Sequence, residues 1–216
     1  MNHRPQSNRL ARGILTFTLT VLLIGCESMP ELSNLLSLPS VDPRAEWQAH
    51  LKWLESLNVW RASGRLAVQV PDDGWSASLR WRQSDDDYRI HLSGPFGQGA
   101  VRIEGSAAAV VLRTADGRER RAATPEKLIA AELNAEVPVS LLRFCILGRP
   151  APAPAPEVKE LQLDEAGRLQ RLAQAGWLIT YQEYEAHDAG DLPKRLRIEH
   201  GQTAARFVLS NWRTGE

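Results

Sequence analysis

Between Ala62 and Glu104, apolar residues recur at every second position. Ala62, Gly64, Leu66, Val68 and Val70 share one face of an extended segment, and Ser63, Arg65 and Gln69 share the other. Trp75, Ala77, Leu79 and Trp81 then alternate with Ser76, Ser78, Arg80 and Arg82. Tyr88, Ile90 and Leu92 alternate with Arg89 and His91, and Val101 and Ile103 with Arg102 and Glu104. A period of two with one apolar and one polar face marks antiparallel strands wetted on one side. The breaks fall on turn-forming residues: Asp72-Asp73-Gly74, Asp85-Asp86-Asp87, the Gly94-Pro95 and Gly97-Gln98-Gly99 stretch, and Asp116-Gly117. Residues 110–113 make a fifth strand, and the pattern returns over 158–163, 168–174, 177–181, 194–198 and 204–211. About ten strands are therefore predicted.

The period changes to 3.6 in three places. Asp42-Pro43 offers an N-cap followed by proline at the first helical position. Behind it Trp47, His50, Leu51, Leu54 and Leu57 form an apolar stripe, which predicts a helix over 43–57. Thr124-Pro125-Glu126 opens a second helix over 125–133, through Leu128, Ile129 and Leu133. Pro138-Val139-Ser140 opens a third over 139–147, stopped at Gly148. Residues 150–156 alternate proline and alanine and read as a stiff extended connector. Strands in succession with a few helices predict a mostly β, α+β domain. Its form is an incomplete antiparallel barrel with helices over one mouth, large enough to keep a cavity.

The N-terminus is a separate matter. Arg4, Arg9 and Arg12 precede an apolar run over 13–25, and no acid occurs before Glu27. A basic start, a short apolar run and a small residue before the cut describe a secretory signal. The run falls short of the ~20 apolar residues of a membrane span. It ends Leu23-Ile24-Gly25-Cys26, which resembles a bacterial lipobox, so residues 1–25 are expected to be removed and Cys26 diacylated as the mature N-terminus. The alternative is an uncleaved anchor that happens to contain a cysteine. Proline and serine make residues 26–42 a tether, and 43–216 a single domain.

Removing residues 1–25 takes away three arginines and no acid, which leaves 23 basic and 26 acidic side chains and a net charge of −3. A nearly neutral chain without a basic block argues against nucleic-acid binding. Beyond Cys26 the chain has one cysteine, Cys145, in the apolar setting of Leu141-Leu142-Arg143-Phe144-Cys145-Ile146-Leu147. It reads as a small buried hydrophobe. His50, His91, His187 and His200 lack the close spacing of a metal site, and His91 is expected on the wet face of its strand. There is no G-x-S-x-G elbow and no phosphate-cradling glycine loop, so an enzyme is the less supported class. Asp85, Asp86 and Asp87 suit a charged turn better than a cation site. Seven tryptophans remain to be placed. They either pack an ordinary core, or Trp75 and Trp81 line a cavity for aliphatic chains with Leu79, Ile90 and Leu92.

Several stretches in order resemble one family. They are Gly64-Arg65-Leu66-Ala67-Val68, Trp75-Ser76-Ala77-Ser78-Leu79-Arg80-Trp81, and Tyr88-Arg89-Ile90-His91-Leu92-Ser93-Gly94-Pro95-Phe96-Gly97. Further on come Thr124-Pro125-Glu126, Pro138-Val139-Ser140-Leu141-Leu142-Arg143 and Ile146-Leu147-Gly148-Arg149-Pro150. Over residues 47–212 the chain resembles the LolB family of outer-membrane lipoprotein receptors. That resemblance implies an incomplete antiparallel barrel covered by helices, with an apolar interior for acyl chains. Leu66, Val68, Trp75, Leu79, Trp81, Tyr88, Ile90 and Leu92 would line it. It implies a lipid-anchored monomer on the periplasmic face of the outer membrane, carrying a diacylglycerol and an N-acyl chain on Cys26 and no other cofactor or metal. Its partners would be a LolA-like periplasmic carrier, acylated lipoprotein cargo and outer-membrane phospholipid, and not nucleic acid. The family's protruding loop matches Pro95, Phe96 and Gly97. Phe96 stands where enteric members have leucine, and its apolar tip is implied to help insert cargo. Glu27 is not the aspartate that retains enteric lipoproteins in the inner membrane. Phe144-Cys145 departs from the aromatic-tryptophan pair common in the family. The rival readings are an envelope-assembly lipoprotein with a solid core, and a hydrolase with a dispersed site.

Overall fold

A computed structural model describes residues 42–95, 99–106, 109–133 and 137–215. The signal peptide expected over 1–25, nearly all of the tether expected over 26–42 with Cys26, and Phe96 and Gly97 lie outside those residues. Helix α1 (Pro43–Ser56) starts as its sequence dictates: the Asp42 carboxylate accepts from the Arg44 N–H at 2.9 Å, and Pro43 takes the first turn, where no partner for an N–H is needed. Strands β1 (Val59–Val70), β2 (Asp73–Ser84), β3 (Asp87–Ser93), β4 (Val101–Gly105), β5 (Val110–Thr114) and β6 (Glu119–Ala122) follow as a meander. Helices α2 (Pro125–Leu133) and α3 (Val139–Cys145) come next. Then β7 (Val158–Leu163), β8 (Leu169–Gln174), β9 (Trp177–His187), β10 (Gly190–His200) and β11 (Thr203–Thr214) form a second meander.

All eleven strands belong to one antiparallel sheet in the order β6-β5-β4-β3-β2-β1-β11-β10-β9-β8-β7. The two meanders therefore meet where the first strand pairs with the last. The end strands β6 and β7 do not pair with each other, which leaves the barrel open. The β1–β11 seam explains Gly64: a Cβ there would overlap the Val208 carbonyl across the pair, so only glycine permits this approach.

Among the described residues the sheet has eleven strands, one beyond those that alternation marked. Strand β6 escaped the pattern because Glu119, Arg120 and Arg121 give no alternation. It is held by its pairing with β5 and by ion pairs from Glu119 to Arg113 and from Arg120 to Glu132 of α2. Strands β9 and β10 also run well past 177–181 and 194–198. Their register shifts on either side of Arg195, beside Pro193, and this irregularity hides the period of two.

One face of the sheet carries the core. Trp60, Trp81 and Trp212 pack at its centre with ring centroids 5.5 and 5.6 Å apart. Their polar edges are satisfied: Trp81 Nε1 donates to Gln83 Oε1 at 3.1 Å and Trp212 Nε1 to the Pro193 carbonyl at 3.1 Å. Helix α1 buries Trp47 and Leu54, and Gly167 lets its first turn come close by leaving room beside the Pro43 carbonyl and the Trp47 N–H.

Candidate functional site

Helices α2 and α3 lie over the inner face of β1–β4 and β11. Between them is a cavity of ≈ 30 Å³. The strands contribute Leu66, Trp75, Leu79, Trp81, Ile90, Leu92, Ile103 and Phe207. The helices and their link contribute Ile129, Val137, Val139 and Leu142. Every lining side chain is aliphatic or aromatic, so the space offers dispersion contacts and no orienting polar group.

Six of the residues singled out by alternation meet here: Leu66, Trp75, Leu79, Trp81, Ile90 and Leu92. Val68 and Tyr88 do not line the cavity. Val68 is buried on the same face of β1 but one step further along, where it pairs with Trp75 and Ala205. Tyr88 lies against Gly105, where a Cβ would strike its ring, and borders a neighbouring depression with Pro125, Val139 and Arg143. Burial, aided by nearby Glu126, pushes the Tyr88 hydroxyl up to about 12. Ile129, Val137, Val139, Leu142, Ile103 and Phe207 were not singled out. Ile103 and Phe207 carry the same alternation as the others, but which helix face closes the space is not written in any local period.

The helical cover is tied down by few polar contacts. Glu126 accepts from the Ser140 N–H at 2.8 Å, joining the starts of α2 and α3. Glu132 pairs with Arg120 at 3.2 Å, and Arg143 with Asp86 at 2.9 Å. Ion pairs of this partly exposed kind contribute about 0–1 kcal/mol each. At its other end α3 is pinned more firmly, because the buried Tyr181 hydroxyl donates to the Cys145 carbonyl at 2.8 Å. The Cys145 thiol is fully buried, and burial pushes it up to about 12, which makes it a packing group and not a nucleophile. The Asp85-Asp86-Asp87 segment is the β2–β3 turn, with Asp85 at φ 51°. Among the described residues no group of three or more His, Cys, Asp and Glu side chains is placed to hold a metal ion.

The sequence model of the family "Outer membrane lipoprotein LolB" matches residues 58–212. This chain belongs to the LolB family. An outer-membrane lipoprotein LolB from Halorhodospira halophila is 41% identical over 206 residues, covering 95% of each chain. One from Alkalilimnicola ehrlichii is 38% identical over 204 residues, covering 94% of this chain and 98% of its own. As an outer-membrane lipoprotein of the LolB family, the chain also has wider structural kin. A LolA superfamily protein from Nitrosomonas europaea superposes with a TM-score of 0.52 at 8% identity, covering 82% of this chain and 94% of that one. A likeness that distant speaks for the open sheet and its helical cover alone, which is the incomplete barrel that the LolB-like sequence predicted.

Proposed function

We propose that this protein receives acylated lipoproteins from a LolA-like periplasmic carrier and inserts them into the inner leaflet of the outer membrane, holding their chains beneath α2 and α3 on the way. The observation that carries the reading is the wholly apolar cavity between the sheet and the weakly tied helices. Its ≈ 30 Å³ is roughly a tenth or less of the ~300–1,000 Å³ of small-ligand sites, so an acyl chain enters only as the helices part. Each methylene buried contributes ~0.8 kcal/mol, so a few more buried groups than the carrier provides are enough to draw the chain across. The bilayer then solvates the chain fully and takes it onward, with no covalent step. In this reading Cys26 carries the lipid anchor, and Phe96, between Pro95 and Gly97, enters the lipid interface during release.

The test is transfer from a carrier–cargo complex to liposomes bearing the acylated protein. Wild type should move cargo into the bilayer. Phe96→Glu should take cargo and stall, and Ile129→Trp, which fills the cavity, should fail to take it. A folded Ile129→Trp that accepts cargo as well as wild type does would count against the cavity. A solid-core envelope lipoprotein would take no cargo in any form.

A further inference from the structure

The face of the sheet opposite the cavity carries an unusual arrangement of charge. Side chains directly across from one another on adjacent strands are near neighbours, and like charges there repel. Yet Arg213 pairs with Arg61, Arg61 with Arg82, and Arg82 with Arg89, making an unbroken row of arginines over β11, β1, β2 and β3. Alongside it, Arg80 pairs with His91 and His91 with Arg102, making a second row over β2, β3 and β4. Between the rows is a groove of ≈ 490 Å³, walled by these side chains, with Ser63 and Asn211 also contributing. That volume falls within the ~300–1,000 Å³ of small-ligand sites.

The excess of cations is local. Over the chain as a whole, 26 basic residues face 26 acidic ones. On the other half of the sheet several arginines and lysines are matched with carboxylates, Arg171 with Glu160, Arg197 with Glu199, and Lys194 and Arg195 with Glu183, and the one pair of facing arginines among the described residues there, Arg197 and Arg206, has Glu199 beside it. At the groove, Glu104 is shared by Arg89 and Arg113. Among the described residues no carboxylate pairs with Arg80, Arg82, Arg102 or Arg213. His91 Nδ1 is buried there without a hydrogen-bond partner. Burial first, then Arg102 and Arg80, hold the His91 ring below its usual pKa.

We infer that this groove binds the phosphodiester headgroup of an anionic phospholipid. Guanidinium forks match phosphate oxygens two at a time, and several forks converge on a space the size of one headgroup. An outer-membrane lipoprotein is held beside phospholipid headgroups, so this is the anion that meets the groove in place. Arg80, Arg82, Arg102 and Arg213 gain a counter-charge that no carboxylate among the described residues gives them. The site goes beyond the receptor reading and does not depend on it, because it lies on the opposite face from the cavity.

The experiment uses the acylated full chain in nonionic detergent micelles. Dihexanoylphosphatidylglycerol, dihexanoylphosphatidylcholine and inorganic phosphate are titrated separately, with heat and the His91 imidazole resonances as readouts. Phosphatidylglycerol should bind saturably, shift the His91 signals, and weaken as salt is raised. Arg80→Gln combined with Arg102→Gln should weaken it about tenfold or more. Arg82→Gln reads the same site singly should the pair fail to fold. Ile129→Trp should leave this binding unchanged even if it abolishes cargo uptake, which separates the two readings. The inference is overturned if phosphatidylcholine or inorganic phosphate binds as tightly as phosphatidylglycerol, or if the arginine variants bind like wild type. It is equally overturned if polyglutamate displaces phosphatidylglycerol at lower concentration than the lipid itself requires, since the groove would then be a docking face for acidic protein.

Discussion

The two meanders share one sheet and differ on both of its faces. In the second, β7–β11, the inner face is filled: Leu169, Leu172, Ile179, Leu192, Leu196 and Ile198 are all 0–1% exposed. A fully buried amide is matched there too. Gln174 accepts from the Ala151 N–H and donates to the Ala151 and Pro156 carbonyls, fixing the proline-rich connector to the sheet. The Tyr184 hydroxyl donates to the Leu169 carbonyl at 2.7 Å, and the outer face is laced with ion pairs. In the first, β1–β6, the inner face keeps a cavity under helices held by partly exposed contacts, and the outer face carries Arg80, Arg82 and Arg102 with no paired carboxylate among the described residues. Dense packing resists deformation, and sparse packing with weak ties opens at low cost. One meander is built as a frame, and the other is built to yield and to meet something outside the chain.

The sharpest way to break that contrast is to cut matched holes in each half. Leu172→Ala, in the filled half, should cost about 2–5 kcal/mol in urea denaturation. Leu92→Ala, which already borders free space, should cost clearly less, because its side chain has fewer neighbours to lose. Equal losses would mean that the halves are packed alike. Next in size is the pin between them. Tyr181→Phe removes one of two donors to the buried Cys145 carbonyl, which keeps the Gly148 N–H at 3.0 Å, and should cost about 0.5–1.5 kcal/mol. It should also speed hydrogen exchange in α3 more than in β9. A uniform rise in exchange would show that α3 is not separately anchored.

Charge reversals on the outer faces should have opposite signs. Arg82→Glu, set between Arg61 and Arg89, should stabilise by about 0.2–1 kcal/mol at low salt, and Arg171→Glu, which sits beside Glu160 and across from Gln162 and Thr180, should destabilise by a similar amount. Thermal melts at two salt concentrations check both the sign and the screening. The smallest effect is that of pH. His50 and His91 both hold their protons less tightly when folded than the usual 6.5, His50 through burial opposed by Asp191, and His91 through burial reinforced by Arg102 and Arg80. The unfolded chain therefore binds more protons as pH falls through 6.5. Stability is full above that value and declines below it, until the folded rings protonate as well. His91→Gln should flatten part of this decline, and a decline identical to wild type would mean that the groove contributes nothing to it.

Much of this was legible in advance because it is local. Strands β1–β5 each follow from their own alternation, and α1 from Asp42, Pro43 and its apolar stripe. Six of the eight expected cavity residues met because inward positions on neighbouring strands converge once the strands pair. What stayed hidden depends on neighbours far along the chain. β6 is a strand because β5 and α2 hold charged residues in place. Val68 and Tyr88 share the inner face and still miss the cavity, because its ends are set by where α2 and α3 sit.

Periods, turns, helix starts, the wet side of each strand and, through motifs along most of its length, the family all follow from the order of the residues. That β1 pairs with β11, that the sheet stays open, and that the helices nearly fill the space beneath them follow from the folded arrangement. It alone brought Arg213 beside Arg61 and His91 between Arg80 and Arg102. The reason is one of range. Alternation and capping act over a few residues, whereas cavity size and charge rows depend on register between strands that can lie 150 residues apart, as Arg61 and Arg213 do.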